Sequence, residues 1–399
     1  MRRLPQQVRQ CYILNVMRQV YLDNNATTPV DSQVVEAMRP YWSDHFGNAS
    51  SIHTYGQKAR AAVEEARQEV AALVGAQGRE IIFTSGGTEA DNTALRGVAS
   101  HERVKGDHII TSTIEHPAVL RTCEQMEREG FRVTYVGVDR EGLIRLDELQ
   151  KAIEGKTILI SIMHANNEVG CIQPIQRISA LARENGVLFH TDAVQSMGKV
   201  AIDVKELGVD LLSLSGHKFH GPKGVGALYV RQGVAMRPLM LGGSHERRRR
   251  AGTENVAGIV GLGKACRLAS QALAELEGRV SLLRDRLEQG ILSQVPDTRV
   301  NGSRTRRNPH VTNISFRAVE GEALLIALDF QGVAVSTGAA CSSGSLEPSH
   351  VLRAMGLRPD RIQGAIRFSL SRMTQSEDID YVLEVLPPLV ARMREMSVR

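Results

Sequence analysis

A chain of 399 residues, 42% hydrophobic and 23% charged, can bury a large core, as two domains or as one large domain with a smaller companion. The net charge of +5 is mildly basic and only 4% of residues are aromatic, so stacking platforms for single strands are scarce and no nucleic-acid partner is expected. No run approaches the ~18 apolar residues of a membrane span, and the first residues lack the apolar stretch of a secretory signal, so no membrane association is expected.

Residues 1–16, ahead of a second methionine at Met17, read as a flexible extension. Beyond them, short apolar runs alternate with amphipathic segments. Strands are expected at Glu80–Thr84, His108–Thr111, Arg132–Val136, Thr157–Met163, Val187–Thr191, Leu211–Ser215 and Gly226–Val230. Helices are expected at Ala59–Val74 and Ile175–Glu184. Near-continuous apolar strands between helices predict an α/β fold with a mostly parallel sheet covered on both faces. From about Gly258 the pattern changes. One long helix over Val260–Leu292 is expected to lead into a smaller α+β domain with strands at Val311–Phe316, Val333–Ser336 and Ala365–Leu370.

Several motifs sit at the ends of these strands. Phe83-Thr-Ser-Gly-Gly-Thr88-Glu turns from strand to helix. That is either a phosphate cradle of free N–H groups or an ordinary capped βα turn. Glu115-His116-Pro117 fixes an imidazole at a rigid turn, where it stacks on a ring, moves protons or is structural. Asn166-Asn167 follows a strand and serves a substrate carboxylate, a ring hydroxyl or the turn itself. Asp192, at the end of a buried strand, calls for a cation such as a protonated pyridine, or caps a helix. Lys218, in Ser-Gly-His-Lys218-Phe-His-Gly-Pro, is either an exposed loop lysine or a desolvated amine able to form a Schiff base.

Five cysteines (Cys11, Cys123, Cys171, Cys266 and Cys341) are odd in number, widely spaced and free of C-x-x-C pairs. This argues against a disulfide scaffold or a structural zinc site and fits a reducing cytoplasm. Cys341 stands apart in a Gly/Ser-rich loop, Ser336-Thr-Gly-Ala-Ala-Cys341-Ser-Ser-Gly-Ser, which suits an accessible, mobile thiol. Arg367 lies in an apolar alternating run and suits a bidentate grip on a carboxylate. The run Arg247–Arg250 reads as a solvated face or a nucleic-acid patch. Gly258-Ile-Val-Gly-Leu-Gly263-Lys264 has P-loop spacing, but Ala265 replaces the magnesium-binding hydroxyl and the stretch looks helical, so nucleotide hydrolysis is set aside.

Together these motifs hold the groups that pyridoxal phosphate needs. Their order, from Val20-Tyr-Leu-Asp-Asn-Asn-Ala-Thr-Thr-Pro through His-Thr-Asp192-Ala-Val-Gln195 and Ser-Gly-His-Lys218 to Cys341-Ser-Ser-Gly-Ser-Leu-Glu-Pro-Ser-His, resembles the NifS/IscS family of cysteine desulfurases. These are class V, fold-type I enzymes dependent on pyridoxal 5'-phosphate. The resemblance implies a large domain over 17–262, with a mostly parallel seven-stranded sheet and first residues packed on the small domain. It implies a small domain over 263–399 that carries the cysteine loop.

Residue by residue, it implies that Lys218 anchors the cofactor and later moves the Cα proton. Asp192 pairs with the ring nitrogen, Gln195 with the ring hydroxyl, and His116 stacks on the ring. Gly87, Thr88, Ser215 and His217 hold the phosphate, and Thr253 reaches the phosphate of a neighbouring subunit, which implies a homodimer. Asn167 and Arg367 bind the substrate carboxylate. Cys341 attacks the sulfur of L-cysteine, carries a persulfide to an iron–sulfur scaffold protein and acts at most as a transient iron–sulfur ligand. A selenocysteine lyase or another β-eliminating enzyme with the same cofactor is the alternative.

Ala90 and Arg248 depart from the family's common serine and glycine. The short C-terminus and the stretches Glu115-His-Pro-Ala-Val-Leu and Arg250-Ala-Gly-Thr-Glu-Asn look closer to NifS, which implies a role in nitrogenase cluster assembly.

Overall fold

The computed structural model describes residues 18–337 and 348–397. After a two-residue strand β1 (Val20–Tyr21), seven strands build the main sheet: β2 (Ile81–Thr84), β3 (His108–Ser112), β4 (Arg132–Val136), β5 (Thr157–Ser161), β6 (Leu188–Asp192), β7 (Leu211–Ser215) and β8 (Gly226–Val230). Their order is β2-β8-β7-β6-β5-β3-β4. Strands β3 to β7 pair in parallel, while β8 runs antiparallel to both β2 and β7. Each strand falls within a residue or two of its expected place.

Burial explains why these runs are strands. Every residue of β2, β3, β5, β7 and β8 is buried. Successive side chains point to opposite faces. Phe83, Ile110, Ile160 and Leu212 join one core with helix α1 (Thr54–Leu73). Their neighbours Ile82, Ile109, Leu159 and Leu211 join another with helices α2 (Gly87–Glu102) and α3 (Pro117–Arg128). The sheet therefore presents its strand ends, not its faces, to ligands.

The expected long helix is interrupted. Helix α4 (Val256–Glu275) passes through a five-residue π-helical turn, Leu276–Val280, into helix α5 (Ser281–Gln294). The apolar spacing does not reveal the wide turn, because Leu276, Val280, Leu283, Leu287 and Ile291 all stay on one buried face. The P-loop-like stretch lies inside α4. There Gly263 faces α1 so closely that a Cβ would come within 2.7 Å of the Ala66 Cα. The glycine serves helix packing, not phosphate.

A second sheet follows, built from β9 (Thr298–Asn301), β10 (Val311–Phe316) and β12 (Ala365–Ser369) in the antiparallel order β12-β10-β9. Strand β11 (Val333–Ala334) pairs in parallel with β1. Val20 and Leu22 thus enter the core that α5 shares with the last helix, α6 (Ser376–Ser397). Sequence patterning missed β1, which is two residues long, and β9, a polar edge strand. Among the described residues no helix is long and apolar enough to cross a membrane.

Candidate active site

The C-terminal ends of β5, β6 and β7, with the β2–α2 turn, surround a cavity of about 240 Å³. Lys218, His217 and Ser215 reach it from the β7 end, and Asp192 and Gln195 from the β6 end. Gly87 and Thr88 reach it from the first turn of α2, with His116, Asn167 and Arg367 completing the wall. Two expected residues are not among them. Thr253 is exposed on the loop before α4, and Cys341 lies outside the described residues.

Lys218 closes the one-turn 3-10 segment Gly216–Lys218 that follows β7. Its Nζ donates to the carbonyls of Asn25 (2.6 Å) and Ala26 (2.9 Å). Both acceptors are backbone carbonyls, which fix where the amine sits in the cavity wall.

Asp192 ends the adjacent strand and is 5% exposed. It serves the local turn by accepting from the Val194 N–H at 2.9 Å. Burial pushes its carboxyl up, the Val194 bond and the Lys218 charge pull it back, and the result is about 6. A cation placed against it would complete its charge. Asp91, which patterning missed, lies 1% exposed on the same wall. Burial first, and then the charge of Asp192, raises Asp91 well above the usual range. Of two crowded carboxyls, Asp91 keeps the proton and Asp192 the charge.

His116 caps α3, its Nδ1 accepting from the Ala118 N–H at 3.1 Å. Burial and the charges of Lys218 and His350 lower it to about 4. The ring is neutral, with its hydrogen on Nε2. The turn before it is set by Glu115, fully buried, which accepts from both the Ser112 hydroxyl (2.5 Å) and the Met163 N–H (3.0 Å).

The two asparagines divide their work. Asn166 is structural: its amide donates to the Ile114 carbonyl, and its Oδ1 accepts from the N–H groups of Glu168 and Val169. Asn167 points its Oδ1 at no partner among the described residues although it is buried. Its carbonyl accepts from Asn25 (3.1 Å) and from Arg367 (2.9 Å). Arg367, 2% exposed on β12, also pairs with Asp23 at 2.7 Å and leaves its Nε without a partner among the described residues.

At the N-terminus of α2, a Cβ on Gly87 would come within 2.6 Å of Val194 Cγ2, so only glycine lets the turn close. The Ser215 hydroxyl lies close by, 3.7 Å from where a Cβ on Gly86 would stand. Free N–H groups, the positive helix end and the Ser215 hydroxyl suit a phosphate. The cradle is braced from outside: Glu89 accepts from the Ser85 N–H (2.8 Å) and pairs with Arg250 (2.8 Å). Glu246, in turn, accepts from the Phe83 N–H (3.0 Å) and pairs with the buried Arg67.

An anionic phosphate, a protonated ring nitrogen, a ring oxygen and an aldehyde thus all find complementary groups here. The orphaned Asn167 Oδ1 is the part that protein alone leaves unfinished, and the buried Asp192 carboxyl suits a protonated ring nitrogen. Pyridoxal phosphate fits this set.

The Aminotransferase class-V model matches residues 20–382. "Cysteine desulfurase IscS" of Methanosarcina thermophila is 56% identical over 378 residues, covering 95% of this chain and 93% of its own. "Cysteine desulfurase" of Trichormus azollae is 53% identical over 381 residues, covering 96% and 95%. Among solved structures, "NIFS-LIKE PROTEIN" superposes with a TM-score of 0.87 at 39% identity, over 95% of this chain and 99% of that one. "SspA in complex with cysteine" does so with 0.79 at 38% identity, over 88% and 99%. On this evidence the chain belongs to the class-V aminotransferase family of pyridoxal-phosphate enzymes and, within it, to the cysteine desulfurases of the NifS/IscS type.

Proposed function

We propose that the chain removes sulfur from L-cysteine, releasing L-alanine and leaving the sulfur as a persulfide on Cys341. The observation that carries this is one cavity wall: Lys218 and Asp192 on adjacent strand ends, faced by Asn167 and Arg367. When bound there, pyridoxal phosphate supplies an electron sink that acidifies the Cα–H of an attached amino acid.

The residues of the chain do the rest. Gly87, Thr88, Ser215 and His217 would hold the phosphate, and Asp192 would keep the ring nitrogen protonated. Gln195 would donate to the ring oxygen, and the neutral His116 would cover the ring. Lys218 Nζ would anchor the cofactor and is placed to take the Cα proton of substrate. Arg367 and Asn167 grip the substrate carboxylate, which fixes the Cα–H toward Lys218. The Cys341 thiolate attacks the substrate sulfur, so that an S–S bond forms as the C–S bond breaks and the electron pair and a proton end on alanine.

Large apolar side chains remain uncovered: Ile52 is 91% exposed, Leu241 84%, Phe46 67% and Trp42 64%. A second copy of the chain is the proposed cover, and Thr253, exposed on the loop after Leu241, would then serve the partner's cofactor. The sulfur acceptor is proposed to be a protein that assembles iron–sulfur clusters, with nitrogenase assembly as one destination.

The test is a single assay of pure, cofactor-loaded protein with L-cysteine, in which alanine, sulfide and Cys341 persulfide are measured together. Equal alanine and persulfide in the first turnover, both lost in Cys341→Ser, are expected. Full sulfur release by Cys341→Ser would instead favour the lyase reading.

A further inference from the structure

Lys218 separates two chambers. The cofactor cavity lies on one side. On the other is a chamber of about 20 Å³, room for one water molecule. Apolar side chains such as Phe219, Ala272 and Leu276 wall much of it. Polar residues also line it, among them the deeply buried Asn24 at 2% exposure, Lys199 at 5% and His310 at 1%.

Their hydrogen-bond inventory is incomplete in a specific way. Asn24 Nδ2 donates to the carbonyls of Tyr21 and Ser369, and its Oδ1 has no partner among the described residues. His310 Nε2 sits 2.7 Å from Asn25 Oδ1, an acceptor, so Nε2 carries the hydrogen. Its Nδ1 is then a bare acceptor, also without a partner among the described residues. Burial holds the ring well below its usual range, which keeps it neutral. Lys199 Nζ donates to Asn25 Oδ1 and Gln195 Oε1, each at 3.5 Å. Burial and the charges of Lys218 and Arg367 push it well below the usual lysine range, toward an amine whose two hydrogens these bonds use. One water molecule closes this account: it donates to Asn24 Oδ1 and His310 Nδ1.

We propose that the chamber binds one water molecule and that Lys199, in its wall, is a positioning residue which locks the amide of Gln195. With its oxygen turned to Lys199, Gln195 must turn its NH2 the other way. That NH2 donates at 3.0 Å to the Asn25 carbonyl, the same carbonyl that holds Lys218 Nζ. The inference rests on the reading that Gln195 donates to the ring oxygen. A freely flipping amide would present oxygen to oxygen in half of its orientations. Leaving such a buried acceptor unpaired costs about 1–3 kcal/mol.

The test is titration of apoprotein with pyridoxal phosphate, followed by the absorbance of the bound cofactor, in four proteins: wild type, Lys199→Met, Gln195→Leu and the double variant. Each single change is expected to weaken binding roughly tenfold. The double variant is expected to bind no more weakly than Gln195→Leu, because Lys199 acts through Gln195. Losses that multiply in the double variant, or unchanged binding in Lys199→Met, would overturn the proposal. Unchanged binding in Gln195→Leu alone would instead sink the reading of Gln195. Should Lys199→Met fail to fold, a high-resolution structure of the wild-type holoprotein decides: a water within hydrogen-bond reach of Asn24 and His310, with Gln195 Oε1 toward Lys199, is expected, and a dry chamber or a flipped amide refutes the proposal.

Discussion

Arg67 and Glu246 form a two-point ion pair, at 2.7 and 2.8 Å, over the open edge of the main sheet. Strand β2 is the edge strand, and its outward backbone groups have no further strand to meet. Arg67 donates to the Ile81 carbonyl at 3.0 Å, and Glu246 accepts from the Phe83 N–H. The pair thus substitutes for an eighth strand, with the guanidinium 4.6 Å over the Phe83 ring. It also anchors the loop that braces the phosphate cradle.

Breaking this pair is therefore expected to be costly. Arg67→Met strands a buried carboxylate and a strand carbonyl together, for a loss of about 3–5 kcal/mol. Urea unfolding of the variant measures it. A loss under about 1 kcal/mol would mean that water replaces the guanidinium freely.

The same loop carries three successive left-handed residues: Glu246 (φ 45°), Arg247 (φ 56°) and Arg248 (φ 65°). Glu246 has the ion pair as compensation, and Arg247 donates to the Arg79 carbonyl at 3.0 Å. Arg248 occupies the position where the family commonly has glycine. Arg248→Gly is expected to raise stability by about 1 kcal/mol, because glycine adopts that backbone without a Cβ clash. The check is the denaturant midpoint, which should rise while the slope stays constant.

Acid lability should come from buried histidines. Burial holds His116, His164, His217 and His220 at about 4, His190 at about 3 and His310 well below its usual range. The unfolded chain takes up these protons below about pH 6.5 while the folded chain refuses them, so stability is lost as pH falls from about 6.5 toward 4. Buried carboxyls work the other way: Glu115, raised to about 8, and Asp192, raised to about 6, favour the folded state as pH falls. Six histidines outweigh these carboxyls and Asp91. Apoprotein unfolding free energy is expected to be lower at pH 5 than at pH 7. A flat profile would contradict the neutral histidines.

Arg367→Lys should separate binding from chemistry. The lysine keeps the charge but cannot hold Asn167 and Asp23 together while gripping a carboxylate. KM for L-cysteine is expected to rise about tenfold or more, with cofactor absorbance preserved. Steady-state kinetics with parallel spectra checks this. A lost cofactor band would show that Arg367 holds the site together and does not only bind substrate.

The sheet was legible in the sequence because its strands are buried on both faces. Leu211–Ser215 and Gly226–Val230 have no exposed face to blur them, whereas the polar edge strand Thr298–Asn301 does. The site was legible where a side chain stands at a strand end, as with Asp192 and Lys218. It was not legible where backbone does the work: nothing in the identity of Asn25 announces that its carbonyl holds both Lys218 and Gln195. Asn166 and Asn167, equivalent in sequence, were separated only by counting their bonds. Asp91 was hidden because its importance is its distance from another carboxyl, which the spacing of residues along the chain does not encode.

The first described residues and strand β12 meet at the cavity. The Asn25 N–H donates to the Ser369 hydroxyl at 2.9 Å across 344 residues, the Ser369 N–H donates to the Leu22 carbonyl at 2.7 Å, and Arg367 pairs with Asp23. Synthesis on the ribosome is vectorial, so the hairpin bearing Lys218 emerges well before its carbonyl partners are pinned from β12. A nascent chain that has not yet released β12 owns the lysine and the phosphate cradle but not the wall that grips substrate. The catalytic compartment is thus sealed late, by the last strand among the described residues, and sulfur chemistry has to wait until β12 has emerged.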